Sequence, residues 1–139
     1  MKRAYELELD GVTYRLRLTV GGQRRLIKKY KGELPLQICL TAMQDIDRLC
    51  AVLEEALHWT NSGNPDISGE DFYELLVDEG YAGVSGIGGQ VVCIMAESGM
   101  LTAGQRNALL AGLDESLEQA FANLTAAEAD TEEARPTDA

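Results

Sequence analysis

Asp10 and Gly11 stand between two runs in which apolar and polar residues alternate, Arg3 to Leu9 and Val12 to Leu18. A two-residue Asp-Gly loop favours positive φ at both central positions, the twist a tight hairpin needs. Register follows from the loop length. Leu9 faces Val12, Leu7 faces Tyr14, Tyr5 faces Leu16 and Arg3 faces Leu18, so one side of the hairpin is a nearly continuous apolar stripe. The other side sets Glu6 opposite Arg15 with Glu8 and Arg17 diagonal to them, and such cross-strand pairs contribute roughly 0.2–1 kcal/mol each. A lone hairpin is marginal in water. Its apolar face must be covered by the segments that follow, or by a neighbouring subunit that adds a strand to an open edge.

Everything after the hairpin reads as helix. The expected fold class is α+β, mostly α: an N-terminal β-hairpin followed by a compact bundle of five or six helices. Thr19 can cap a first helix running to about Lys31, with Leu26, Ile27 and Tyr30 inward, Arg24, Arg25, Lys28 and Lys29 on the opposite side, and Gly32 as the left-handed residue that ends it. A second helix between Glu33 and Gln44 enters through Pro35 and offers Leu36, Ile38, Leu40 and Met43. Asp45 caps a third, whose Ile46, Leu49, Cys50, Leu53, Ala56 and Leu57 recur at the spacing of a buried stripe. At roughly 1.5–3 kcal/mol per buried apolar side chain, this helix is the expected centre of the core. His58 and Trp59 close it.

Residues 61–66 are a loop, after which Ser68 with Asp71 resembles a capping box for a fourth helix that buries Phe72, Leu75 and Leu76 and stops near Gly80. Glycines at 80, 83, 86, 88 and 89 follow a helix instead of a strand and lack the G-K-[ST] ending, which rules out a phosphate loop. They are expected to form a flexible turn that lets a fifth helix, Ile87 to Ser98, pack closely. Thr102 and Gln105 form a capping box for a sixth, in which Leu109, Leu110, Leu113, Leu117, Phe121 and Leu124 keep one helical period. That helix is either the last element of the core or an appendage whose apolar face docks on a partner. The expected organisation is therefore a hairpin-plus-helix domain over 1–99, an amphipathic helix over 100–124 and a disordered acidic tail over 125–139, which lacks large apolar side chains.

Charge narrows the functions open to the chain. Residues 1–31 hold nine basic against three acidic side chains, net +6, whereas residues 32–139 hold three against twenty, net −17. Nucleic acid and anionic membrane repel such a chain as a whole, and contact with either would have to use the basic first helix alone. No aromatic residues interleave with that cluster as a stacking surface requires. The cluster is either a solvated helix face or a site for an acidic partner. Lys2 and Arg3 run straight into the hairpin without an apolar h-region, so no secretory signal is expected. The weakly polar run from Tyr81 to Ala96 is too short to span a bilayer, and the expected compartment is the cytoplasm.

Catalytic and metal chemistry find little to work with. Cys39, Cys50 and Cys93 form no CxxC pair and His58 stands alone, so no zinc set, cofactor site or Ser-His-Asp or Cys-His pairing is expected. Buried, reduced thiols are the default. Asp71, Glu74, Asp78 and Glu79 read as a solvated acidic face.

Residues 4 to about 99 resemble the tail assembly chaperones of long-tailed phages and prophages. In that family a hairpin of the form L-x-L-D-G-x-x-Y-x-L-R precedes a helix ending in K-K-Y-G. Leu7, Leu9, Asp10, Gly11, Tyr14, Leu16 and Arg17 match the first part, and Lys28, Lys29, Tyr30 and Gly32 match the second with Lys31 inserted. Asp45, Asp47 and Leu49, then Ser68, Glu70, Tyr73, Leu75, Asp78, Glu79 and Gly80, match the motifs that follow. The glycine-rich turn and the long sixth helix depart from the pattern. The resemblance implies a non-enzymatic protein that coats the long, helical, aggregation-prone tape-measure protein and brings tail-tube subunits to it. Many members also have a longer, frameshifted form.

A chaperone of that kind needs repeated copies, apolar grooves and an acidic, soluble surface. Self-association is expected, along with contacts through the basic face at Arg24, Arg25, Lys28 and Lys29 and through Leu113, Leu117 and Phe121. The alternative is a structural subunit retained in the particle, such as a head-tail connector or tail-completion protein.

Overall fold

The computed structural model describes residues 3–133. Strands β1 (Tyr5–Leu9) and β2 (Val12–Leu16) pair antiparallel in the register the loop dictates, from Leu9 opposite Val12 to Tyr5 opposite Leu16. Asp10 (φ 50°) and Gly11 (φ 76°) take the positive dihedrals of the two-residue turn. Leu7, Leu9, Tyr14, Leu16 and Leu18 are buried, and the Tyr14 ring meets Phe72 edge-on at 5.0 Å. On the outer side Arg15 lies 3.8 Å from Glu6.

The hairpin's exposed edge is covered from within the chain. On β2, the Arg15 N–H donates to Asn64 Oδ1 (2.7 Å) and its carbonyl accepts from Asn64 Nδ2 (2.7 Å) and Trp59 Nε1 (3.0 Å). Asn64 Nδ2 also donates to the Leu57 carbonyl (2.7 Å), and the Arg17 N–H to the Ala56 carbonyl (3.0 Å). One side chain thus stands in for a strand, and the loop that carries it is fastened to the sheet.

Seven α-helices follow among the described residues: α1 (Val20–Lys29), α2 (Pro35–Ala42), α3 (Ile46–Leu57), α4 (Gly69–Asp78), α5 (Gly89–Glu97), α6 (Ala103–Leu113) and α7 (Leu117–Glu133). The caps read from the sequence are in place. The side chains of Thr19, Asp45 and Ser68 accept from backbone N–H groups of the first turns of α1, α3 and α4, and Thr102 and Gln105 make both halves of a capping box on α6. Helix α1 ends earlier than expected. Lys31, not Gly32, takes the first left-handed step (φ 55°), and Gly32 (φ 90°) then closes the turn by donating to the Ile27 carbonyl at 2.9 Å.

In α3 the buried set is Leu49, Val52, Leu53, Ala56 and Leu57, so the helix lies at the centre of the core as expected. Ile46, counted in its stripe, is the first residue of the helix and is 59% exposed. Helix α4 starts against α3 at backbone contact: a Cβ on Gly69 would lie 2.1 Å from the Cys50 carbonyl oxygen.

Two expectations are corrected. The glycine-rich segment is helical from Val84 onward and not an open turn. Gly83 (φ 69°, ψ −173°) redirects the chain in a conformation open essentially to glycine alone, and Val84–Gly88 form a π-helical turn that runs directly into α5. Close packing is its result, since the Cβ position at Gly88 lies 3.4 Å from Met43 Sδ and 3.6 Å from Leu113 Cδ1. The single sixth helix is in fact a hairpin. Helix α6 stops at Leu113, and α7 begins at Leu117 behind the Ser116 hydroxyl, which accepts from the Gln119 N–H at 3.0 Å.

The two arms pack backbone to backbone, where a Cβ on Gly112 would fall 2.3 Å from Ala120 Cα. Leu101, Leu109, Leu113, Ala120 and Leu124 join the same buried cluster as the hairpin and α3, so this segment belongs to the core. Helix α7 continues to Glu133, past the point where composition places a disordered tail, and residues 134–139 of that tail lie outside the described residues.

Candidate protein-interaction surfaces

Helix α1 presents Arg24, Lys28 and Lys29 to solvent. Arg25, of the same cluster and also exposed, holds α1 to α3 through a 2.8 Å ion pair between its Nε and Glu55 Oε1. Beyond the end of α1, Arg48 sits over the Tyr30 ring at 4.4 Å and grips Glu33 with both terminal guanidinium nitrogens, at 2.6 and 2.8 Å. Those hydrogen bonds hold the Glu33 carboxyl below its ordinary range and raise the Arg48 guanidinium.

The three apolar residues expected to face a partner separate. Leu113 is 3% exposed and packed against Gly88, so it is a core residue and not a contact residue. Folding α7 back on α6 turns it inward. Leu117 and Phe121 are half-buried. Phe121, with Leu36, Leu40 and Leu124, lines a groove of about 290 Å³ between α2 and α7 that is open to solvent.

A second pocket, of about 190 Å³, has no counterpart in the sequence reading. It is lined by Met43, Leu49, Tyr73, Gly83, Val84 and Gly88 among others, where α2, α3, α4 and the π-helical turn converge. The glycine run is the one sequence feature that falls on it, and a glycine run does not identify a pocket without the tertiary fold.

Burial and local hydrogen bonds hold the cysteines, Tyr5 and His58. Burial pushes the Cys39 thiol up to about 12 and raises Cys50 and Cys93, the latter two half-buried and not fully so. Raised thiols are poor nucleophiles. Burial first, then the nearby Cys93 and Tyr81, pushes the Tyr5 phenol to about 12, and its hydroxyl lies 2.5 Å from Gln90 Oε1. His58 Nε2 lies 2.6 Å from the Ile67 carbonyl oxygen and 3.2 Å from Glu54 Oε2, which ties the end of α3 to the loop before α4. No cluster of three or more His, Cys, Asp or Glu residues suited to a metal occurs among the described residues, and no helix there is long and apolar enough to cross a membrane.

No family model, curated protein or solved structure matches the chain.

Proposed function

We propose that this protein is a tail assembly chaperone of a phage or prophage, a non-enzymatic protein that binds the tape-measure protein in the host cytoplasm and helps recruit tail-tube subunits. The observation that carries the reading is the open groove between α2 and α7, in which Leu36, Leu40, Phe121 and Leu124 form an apolar strip flanked by Gln37 and Thr125. An amphipathic helix docks into such a groove through anchors at i, i+3 or i+4, and i+7. A long helical client offers those anchors repeatedly, which suits a protein acting in many copies. The exposed Arg24, Lys28 and Lys29 provide a second contact for an acidic partner, while the strongly acidic remainder favours solubility of the assembly. The motifs of residues 4 to about 99 support the same assignment.

The test is capture of the tape-measure protein encoded by the same phage or prophage. Phe121→Asp places a carboxylate in the groove at a half-exposed position, so the variant is expected to keep its helical circular dichroism and lose capture at least tenfold. A folded Phe121→Asp protein that captures the client as well as the wild type would overturn the assignment of this groove.

A further inference from the structure

The hairpin has two edges, and the fastening by Asn64 and Trp59 serves the β2 edge alone. A two-residue loop makes Leu9 and Val12 a hydrogen-bonded pair, and bonding alternates from there along the ladder. Leu9, Leu7 and Tyr5 therefore spend their N–H and C=O groups on β2, while those of Glu8 and Glu6 point away from it. Arg15, the partner of Glu6, shows the same phase from the other strand, since its own N–H and C=O bond outward to Asn64 and Trp59. Among the described residues no group bonds the outward N–H and C=O of Glu6 or Glu8, and both residues are exposed.

An open edge is a template for an added strand. Its charges select which strand. Glu6 and Glu8 stand two residues apart on the outer face of β1. The Glu6 side chain is 67% exposed even with Arg15 at 3.8 Å on its β2 side, and Glu8 has no ion-pair partner among the described residues. The arginines of the hairpin are placed elsewhere: Arg15 and Arg17 belong to the β2 arm, with Arg15 over the Trp59 ring at 5.4 Å, and Arg3 pairs with Glu97 at 3.3 Å. A second copy is a poor occupant, because β1 against β1 sets the glutamates of one chain directly opposite those of the other, and like charges so placed are destabilising. A strand with lysine or arginine at positions i and i+2 meets both glutamates with opposite charge.

The inner face of such a strand also has a seat. Helix α5 packs under β1, with the Tyr5 hydroxyl 2.5 Å from Gln90 Oε1, and Tyr5, Gln90 and Cys93 are only half-buried. Side chains that point inward between the two cations lie beside an aromatic ring and an uncharged thiol, which suits small apolar residues.

We propose that the β1 edge docks an extended segment of a partner protein, one that carries basic residues at alternate positions with small apolar residues between them and joins the hairpin as a third strand. This site shares no residue with the α2–α7 groove, takes a strand and not a helix, and does not rest on the chaperone assignment.

The experiment is amide hydrogen exchange followed by NMR on the full isotope-labelled chain, with a blocked synthetic peptide that alternates lysine with valine as the probe. In the free chain the amides of Glu6 and Glu8 are expected to exchange about tenfold or more faster than those of Leu7 and Leu9, and the peptide is expected to slow them by a similar factor. Methylating the peptide nitrogens that face β1 keeps its charge and is expected to abolish binding. Glu6→Lys with Glu8→Lys alters two exposed side chains and is expected to reverse the preference, taking a peptide with glutamate in place of lysine. Slow exchange at Glu6 and Glu8 in the free chain, no binding at millimolar peptide, binding that leaves those two amides unchanged, or undiminished binding of the methylated peptide would each overturn the proposal. Protection of the two amides that grows with protein concentration alone would overturn it in favour of a second copy.

Discussion

Replacing Gly112 with alanine distinguishes the α6–α7 hairpin from a single continuous helix by the sign of its effect. In the hairpin, the new Cβ would lie 2.3 Å from Ala120 Cα and 2.5 Å from Ala120 N, against an ordinary contact of at least 3.4 Å, so the arms must part by about 1.1 Å. Both obstructing atoms are backbone, and no side-chain rotation relieves them. Overpacking of this kind costs about 1–3 kcal/mol, and parting the arms also loosens the contacts of Ala120 and Leu124. Taking roughly 2–3 kcal/mol, and about 2–4 °C per kcal/mol for a chain of this size, the midpoint of thermal unfolding should fall by on the order of 5–10 °C.

In one long helix the same substitution would remove a helix-interior glycine and gain about 0.8–1 kcal/mol. Thermal melts followed by circular dichroism, with urea unfolding to confirm an unchanged slope, provide the assay. A Gly112→Ala protein that melts above the wild type would refute the hairpin and with it the inward placement of Leu113.

Asn64→Ala removes three hydrogen bonds at once and leaves backbone groups of Arg15 and Leu57 short of partners, so urea unfolding should show a loss of about 2 kcal/mol; a change under 0.5 kcal/mol would mean water replaces the latch. Lys31→Gly relieves a left-handed lysine (φ 55°) and should stabilise the fold by up to about 1 kcal/mol, whereas a loss would show that the lysine side chain makes a contact worth more than the strain. Glu33 has a folded pKa below its ordinary value of 4.5, so its contribution is present above that value and disappears as pH falls through the folded pKa. The stability difference between wild type and Glu33→Gln should therefore be seen at neutral pH and vanish in acid; a difference that persists at low pH would assign it to something other than the Arg48 pair.

The hairpin and the helix caps were legible in the sequence because each depends on a few neighbouring residues. Asp10-Gly11 set the register, and Thr19, Asp45, Ser68 and Thr102 marked where helices begin. The break after Leu113 was not legible from periodicity, since Leu113 and Leu117 are four residues apart and the apolar spacing continues across the turn. The missed signal was local: Ser116 and Gln119 repeat the S-x-x-Q capping pattern inside the supposed helix. The π-helical turn left no such trace, and the residues it packs on at Gly88, Met43 and Leu113, are distant in sequence.

The candidate surfaces divided in the same way. The exposure of Arg24, Lys28 and Lys29 followed from helical spacing, while the contact of Arg25 with Glu55 depended on how α1 meets α3. Leu113 and Phe121 belong to one sequence pattern, and the chain reversal alone decides which of them faces the core. The pocket beside Met43 draws on four segments and could be seen only once they were assembled.

The most direct test of the chaperone assignment is co-expression with the tape-measure protein encoded by the same phage or prophage, followed by size-exclusion chromatography with light scattering. The expected result is a tape measure that is soluble only in the presence of this chain and elutes with it, many copies to one. A tape measure that stays insoluble while this protein elutes without it would contradict the assignment.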